Sequence, residues 1–352
     1  MQAFDTVPPF DTVPPFDTVP PFDTVIVVDW SAANVPSPAK ASADAIWMGV
    51  VQGGATHVSY HRTRAAAEAA LVTVLDTEAL AGRRVLAGFD FPLGYPTGFA
   101  AGLTGKPEAR AVWDWLEANL VTGPDNRSNR FQLAAGINAR FGGTGPFWGR
   151  PAGLNLPNLP ARKLVDYAGL GLAERRVVEG IVPRAQPVWK LYTTGSVGSQ
   201  ALTGLPMIAR LARRNGCAVW PFDGALGALV LAEVYPSLLA RDVALAVVAG
   251  EIKDAAQVRL LAQALRVLSV RGGLDALLDV PVPVPVRAEE GWILGAGHAE
   301  ALEGALRCEL ASTTACQTTC AMMRHGFIGR RLVVSWGGCW GRNGWPLRCW
   351  IR

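Results

Sequence analysis

Short apolar runs and alternating stretches in the first ninety residues predict an α/β fold. Val25–Val28 is β-branched throughout, which is typical of a buried strand. Ala43–Val51 and Thr56–Arg62 alternate apolar and polar positions, as antiparallel strands do. Arg64–Ala81 has helical periodicity, and Val85–Asp90 is again a short apolar run. The expected order is therefore strand, strand, strand, helix and strand.

The chain continues with a less regular region before strands and helices resume. Residues 97–187 contain clusters of Gly, Pro, Arg and aromatic residues, with helical stretches near Pro107–Leu120 and Asn129–Phe141. We interpret this region as a helical cap insertion rather than a separate domain. Regular patterns then predict a helix, two strands and a long helix, at Ser199–Asn215, Cys217–Phe222, Ala228–Val234 and Asp254–Val270.

Both ends of the chain depart from this pattern. FDTVPP occurs three times over Phe4–Pro21, and its paired prolines exclude a helix or an interior strand, so residues 1–21 are predicted to be a disordered tail. Such repeats also suit a proline-recognition groove, and duplication of a short coding segment explains them as well. Residues 305–352 are rich in Cys, Trp and Arg, without a CxxC pair, and resemble translation in an altered reading frame. We expect the folded domain to span residues 22–304.

Composition narrows the classes of function. The chain has 352 residues, is 50% hydrophobic and carries a formal charge of +4. Seven arginines and one acidic residue give Ala305–Arg352 a charge of +6, which leaves −2 for the rest, so the body lacks the basic surface of a duplex-binding protein. No segment approaches the roughly 18 apolar residues of a membrane span. Residues 1–304 contain one cysteine, Cys217, which favours a reducing, cytoplasmic location.

Acidic residues follow several of the predicted strands. Asp29 and Asp90 each end a short apolar run, and parallel strands that end in Asp place both carboxylates at one edge of a sheet. Paired carboxylates without nearby thiols or imidazoles suit a hard cation, Mg²⁺ or Mn²⁺. Glu233 ends another apolar run, and Asp254 opens the last long helix. Taken singly, Asp29 and Asp90 are also typical of turns, and Asp254 of a helix N-terminus.

Five segments resemble a known family: VIVVDWSAAN, GFDFPLGYP, VWKLYTTGSVGSQALTG, VLAEVYPS and IKDAAQVRLLAQAL. They are similar to the domain of unknown function 429 family, within the ribonuclease H-like superfamily. The resemblance implies a mixed sheet in the order β-β-β-α-β-α-β-α, flanked by helices, with Asp29 on the first strand, Asp90 on the fourth and Asp254 on the final helix. The family's final helix usually carries a second acidic residue, where this chain has Ala255 and Ala256.

These observations predict metal-dependent phosphodiester hydrolysis or a related phosphoryl transfer. The partner is then a nucleic acid or a nucleotide-like small molecule, with no membrane involved. GSVGSQ before a helix could hold an anion, and a plain helix-start turn explains it equally. The predicted metal ligands are Asp29, Asp90 and Asp254. The predicted catalytic residues add Glu233, which would orient water or a ligand. The predicted substrate-binding residues are Ser31, Arg130 and Lys190.

A second class of function stays open from the sequence. Arg130 and Lys190 are equally typical of ordinary solvated charges. The aromatic and Arg residues of Thr97–Trp189 suit stacking on a base or a pterin, and they equally suit a small core of their own. Some proteins similar to this one carry a label for molybdopterin guanine dinucleotide synthesis. The alternative is therefore a non-nuclease protein of a cofactor pathway that binds a nucleotide or a pterin.

Overall fold

The computed structural model describes residues 19–308, which lie in the first of two units, Met1–Glu309 and Leu310–Arg352. The predictions made for residues 1–18 and 309–352 fall outside this range. The described part extends beyond the predicted 22–304 at both ends. Val19 N–H donates to Asp275 Oδ1 (3.2 Å), and residues 299–308 are helical with Leu306 buried. The described helix thus continues past residue 304, and the predicted domain bounds stay a prediction.

Six strands form one mixed sheet in the order β3-β2-β1-β4-β6-β5. The first three strands are antiparallel neighbours, whereas β1, β4, β6 and β5 run parallel to one another. The α/β class is confirmed, and each strand predicted from the sequence pattern is present. The edge strand β5 is additional only to the five strands that the family resemblance implies. The strands are β1 Thr24–Asp29, β2 Ile46–Gln52, β3 Ala55–His61, β4 Val85–Phe89, β5 Cys217–Trp220 and β6 Leu229–Glu233.

Helices flank the sheet and fill the long segment between β4 and β5. Among residues 19–308, no helix combines the length and the apolar character needed to cross a membrane. Besides the helical residues 299–308, the α-helices are α1 Arg64–Leu80, α2 Phe99–Thr104, α3 Ala109–Asn119, α4 Arg130–Arg140, α5 Val177–Ile181, α6 Gly198–Ala212, α7 Ala240–Val248, α8 Lys253–Arg271 and α9 Asp275–Leu278. A 3-10 turn spans Pro236–Leu239 and a π-helical turn spans Val286–Glu290.

Strand β1 is buried on both faces, which explains its unbroken run of apolar residues. Ile26 and Val28 belong to the core that contains α1 and α6. Val25 and Val27 belong to a second core that contains α8. Strands covered on both faces read as continuous β-branched runs rather than as alternating ones. This strand and its neighbour β4 therefore form the rigid centre of the molecule.

Helix α8 lies unusually close to the sheet because β2 carries a glycine beneath it. A Cβ atom on Gly49 would lie 2.7 Å from Val258 O, in the backbone of α8. No side chain fits such a gap without moving the helix or the strand. The close approach fixes the position of the first turn of α8, and with it Asp254.

The aromatic residues of the predicted cap insertion and its borders pack on one another. Tyr95, Phe99, Phe147 and Trp189 have ring centroids 4.5–5.9 Å apart, and each is at most 2% exposed. Edge-to-face and tilted contacts of this kind stabilise a core. These rings are therefore occupied by one another, which favours the core interpretation over stacking on a base or a pterin.

Candidate functional site

Three of the four predicted acidic residues lie at the ends of neighbouring strands, and the fourth lies in the first turn of α8. Asp29 is the last residue of β1, Asp90 directly follows β4, and Glu233 is the last residue of β6. Because these three strands are adjacent and parallel, the three side chains lie at the same edge. Asp254 is the second residue of α8, which lies against β1 and β2. Ligands of open α/β sheets bind at this edge.

Asp29 and Asp90 form a close carboxyl pair. Their carboxyl groups are within hydrogen-bonding reach of each other, and Trp30 N–H donates to Asp90 Oδ1 (3.0 Å). Burial raises the pKa of Asp90 to about 7. Burial, followed by the charges of Asp90 and Asp254, raises the pKa of Asp29 well above its usual value. Two such groups resist simultaneous ionisation, so the pair retains a proton or binds a cation.

Asp254 neighbours the pair, but its carboxylate binds the backbone. Its Oδ2 accepts a hydrogen bond from Asp44 N–H (2.6 Å), and its side chain is buried. Burial raises the pKa of Asp254, and its own charge raises the pKa of both Asp29 and Asp90. Across residues 19–308, no three His, Cys, Asp or Glu side chains are arranged to hold a metal ion. The structure thus brings two predicted ligands into contact and leaves the third beside them.

The chemistry of the Asp29–Asp90 pair fits one hard divalent cation. Carboxylate oxygens are the ligands that Mg²⁺ and Mn²⁺ prefer, and a cation between two carboxylates replaces the proton that they otherwise share. Both residues retain some solvent exposure, although their carboxyl groups are sufficiently buried to raise their pKa values. The fit covers two of the three predicted ligands, because within residues 19–308 Asp254 does not complete a three-residue metal-binding group with them.

Lys253 adds a positive charge beside the acidic residues. Its charge lowers the pKa of both Asp29 and Asp254, against the larger effect of burial. Lys253 also lines a half-open groove of about 820 Å³ between α7, the start of α8 and the loop that follows β6. The groove is mainly apolar, with Tyr235 and Gln257 among its polar lining residues. A ligand with an apolar part could thus lie in this groove within reach of Lys253.

Glu233 lies in a buried ion pair. Arg176 donates to it twice, from Nη1 to Oε2 (2.7 Å) and from Nη2 to Oε1 (2.6 Å), and Leu93 N–H donates to Oε2 (3.0 Å). Arg176 also contacts Glu179, through Nε and Oε1 (2.9 Å). Both oxygens of Glu233 are thus engaged by protein donors. The geometry gives this residue a structural contact, and its predicted role of orienting water or a ligand stays a prediction.

The three residues predicted to bind substrate lie in or beside loops. Ser31, two residues after Asp29, accepts a hydrogen bond from Ala33 N–H through Oγ (3.2 Å). Lys190 Nζ donates to Thr194 O (2.7 Å). Arg130 begins α4, is 7% exposed, and has no carboxylate among its hydrogen-bond acceptors. Of the three, Arg130 is therefore the buried cation, which excludes its interpretation as a solvated charge.

Four residues of this region are missed by the sequence analysis: Asp44, Arg64, Arg176 and Lys253. Arg176 belongs to the irregular segment, where no periodicity marks a buried position. Arg64 starts α1 after the N-cap residue Thr63, so it resembles any exposed first-turn residue. Lys253 could have been recognised from the sequence, since it directly precedes the predicted ligand Asp254 and shares the first turn of α8 with it.

Comparison with known proteins finds no relative of this chain. No family model, no curated protein and no solved structure matches the chain. The resemblance to the domain of unknown function 429 family therefore stays a prediction from the five segments.

Proposed function

We propose that this protein is a divalent-metal-dependent enzyme that hydrolyses a phosphate ester, or transfers a phosphoryl group, at the Asp29–Asp90 pair. The observation that carries the proposal is the contact between the two carboxyl groups at the edge of three parallel strands. Enclosing two carboxylates together is unfavourable unless a cation or a proton lies between them. A divalent cation offsets their repulsion and is also the usual partner of phosphate chemistry.

The order of the strands supports a ribonuclease H-like architecture for this site. β1 lies between antiparallel β2 and parallel β4, and α8 covers β1 and β2. The resemblance implies the same arrangement, with one acidic residue on β1, one after β4 and one on α8. This fold serves nucleases, sugar kinases and ATPases, so it supports phosphate chemistry in general and does not choose among these reactions.

The residues of the chain have distinct roles in this proposal. Asp29 and Asp90 bind Mg²⁺ or Mn²⁺, and the Trp30 N–H bond holds Asp90 Oδ1 in place. The bound cation supplies activation of water and stabilisation of negative charge on the leaving oxygen. Asp254 strengthens the negative potential at the pair, and Lys253 partly offsets it. Glu233 acts through Leu93, whose backbone it fixes three residues after Asp90.

Binding of a nucleotide or pterin ligand without catalysis is the second candidate. Its support is that, within residues 19–308, no three acidic side chains are arranged to hold a metal ion, where three ligands are predicted. The groove lined by Lys253 offers room for the rest of such a ligand. A cofactor-pathway role, of the kind implied for molybdopterin guanine dinucleotide synthesis, needs only this binding.

Metal binding is tested first, by calorimetric titration of Mg²⁺ and Mn²⁺ into the full chain. We expect one site in the wild type and about a tenfold or greater loss of affinity in Asp29→Asn. Asp114→Asn is the matched control, because Asp114 is a 68% exposed partner of Arg213 and makes no part of the proposed site. Absence of binding to the wild type, or equal binding to Asp29→Asn, would refute the metal site.

Catalysis is tested with the same three proteins on labelled oligonucleotides and small phosphate esters. Cleavage that needs Mg²⁺ or Mn²⁺, disappears with EDTA and is lost in Asp29→Asn supports the enzyme. Metal-dependent binding of a nucleotide or pterin without turnover on any substrate supports the second candidate. Cleavage retained in Asp29→Asn would show that the pair is not where the reaction occurs.

A further inference from the structure

Two buried arginines lie close together, and neither has a carboxylate partner among residues 19–308. Arg64 is 5% exposed and Arg130 is 7% exposed. Burial lowers the pKa of each to about 10, and the charge of Arg130 further lowers that of Arg64. Buried cations are normally paired with anions. Their acceptors are uncharged: for Arg64 they are Ser31 O, Ala33 O, Thr122 Oγ1 and Asn126 O, and for Arg130 they are Asn34 Oδ1, Ser128 Oγ and Ser199 Oγ.

Each guanidinium group keeps one nitrogen without an acceptor. Arg130 donates through Nε to Ser199 Oγ (3.2 Å) and through Nη1 to Asn34 Oδ1 (2.8 Å). Its Nη2 donates to no acceptor within residues 19–308. Arg64 Nε is buried and likewise has no acceptor within that range. Arg130 is thus fixed in position with a donor to spare, as a ligand-binding arginine is.

The N-terminus of α6 contributes to the same positive region. This helix has 15 residues, and its N-cap residue, Val197, makes no side-chain hydrogen bond. Its first turn contains no acidic residue that would balance the helix dipole. Ser199, the second residue of the helix, is the one that Arg130 contacts. The positive end of the helix and Arg130 therefore meet at Ser199. Gly198 N–H donates to Lys190 O (2.9 Å) and Ser199 Oγ donates to Leu191 O (2.7 Å), so the helix contributes its dipole, rather than these two donors, to an anion held by Arg130.

This region adjoins the carboxyl pair through Trp30. Gln200 Nε2 donates to Trp30 O, and Trp30 Nε1 donates to Thr203 Oγ1 (3.3 Å). Trp30 follows Asp29 in the chain, and its N–H donates to Asp90. One residue therefore contacts both α6 and the proposed metal-binding pair. Trp30 therefore links α6 to the carboxyl pair.

We propose that Arg130, Arg64 and the N-terminus of α6 bind the terminal phosphate of a small phosphorylated ligand, such as a mononucleotide. This inference rests on the proposed function, because it names the class of substrate that the Asp29–Asp90 pair acts on. Two enclosed arginines and a helix N-terminus suit the double charge of a terminal phosphate, whereas the internal phosphate of a polymer carries one charge. The charge of −2 on residues 1–304 disfavours a long polyanion as well.

The test measures phosphate binding to the full chain in EDTA, so that it does not depend on metal. Calorimetry and thermal melting compare inorganic phosphate, adenosine monophosphate and adenosine. We expect both phosphates to raise the melting temperature, and adenosine to bind at least about tenfold more weakly than its monophosphate. Arg130→Gln should weaken phosphate binding about tenfold or more. Arg127→Gln is the matched control, since Arg127 is 78% exposed and pairs with Asp125.

Further variants keep the proposal open to refutation. Arg130→Lys preserves the positive charge but removes the forked set of donors, so it should also weaken phosphate binding. It replaces Arg130→Gln if that variant does not fold. Asp29→Asn should retain phosphate binding, so loss of metal binding alone refutes only the proposed function. No effect of phosphate on the wild type, or equal effects in Arg130→Gln or Arg130→Lys and wild type, would overturn the anion site. An oligonucleotide without terminal phosphates that binds as tightly as adenosine monophosphate would overturn the ligand class.

Discussion

The buried ion pair between Arg176 and Glu233 joins the irregular segment of the chain to the edge of the sheet beside Asp90. Both side chains are at most 4% exposed, and they are 57 residues apart in sequence. Glu233 also accepts from Leu93 N–H, in the loop that follows Asp90. The Arg176–Glu233 ion pair therefore holds in place the loop that follows Asp90 in the candidate site.

Replacing Arg176 by Met should destabilise the protein by about 3–5 kcal/mol, because it leaves Glu179 and Glu233 buried without their cation. Urea unfolding measures the change. Glu174→Gln, in an exposed pair with Lys163, is the control and should cost at most about 1 kcal/mol. Equal effects of the two variants would contradict the structural role given to Arg176.

The stability difference between Asp90→Asn and the wild type should depend on pH. In the folded protein the pKa of Asp90 is about 7, above its ordinary value of 3.8. The contribution of Asp90 to the free energy of unfolding is thus fully present below pH 4 and is lost as the pH rises towards 7. In EDTA, Asp90→Asn should therefore gain stability relative to the wild type between pH 4 and pH 7, by roughly a few kcal/mol.

Chemical unfolding at pH 4, 5.5 and 7 measures this difference, with Asp114→Asn as the control that should follow the wild type. Excess Mg²⁺ should reverse the trend at pH 7, because a bound cation stabilises only the wild-type pair. A difference that stays constant from pH 4 to pH 7 would show that Asp90 ionises freely.

The ends of the folded unit can be tested by truncation. A protein of residues 19–308 should unfold cooperatively. Phe22–Glu303 should be less stable by about 2–5 kcal/mol, because it lacks Leu306, which is 3% exposed, and Val19, which bonds to Asp275. Thermal and urea unfolding of the two proteins measure the change. Equal stability would favour the boundary that the sequence predicts.

The close approach of α8 to the sheet predicts opposite effects for two glycines. Gly49→Ala should destabilise by about 1–3 kcal/mol, because its Cβ would lie 2.7 Å from Val258 O. Gly136→Ala is the control, in α4 with nothing within 4 Å of the added Cβ. That change should stabilise by about 0.5–1 kcal/mol, since alanine favours a helix. Matching losses in the two variants would contradict the close packing.

The sequence predicts the strands and two acidic positions for a simple physical reason. β1 and β4 are buried on both faces, so their apolar runs are continuous and the residues after them mark the edge of the sheet. The partners of the other residues are not predictable in this way. Asp44 contacts Asp254 across 210 residues, and Arg176 lies in a segment without periodicity, where local patterns carry no information about distant contacts.

The burial of β1 between two cores has a consequence for how the site can move. Segments enclosed on both faces open only in global unfolding, so the amides of Val25–Val28 should be among the slowest to undergo hydrogen exchange. Asp29 is attached directly to this segment. The repulsion at the carboxyl pair therefore cannot relax by a local retreat of the strand, and adaptation to a ligand falls to the surrounding loops.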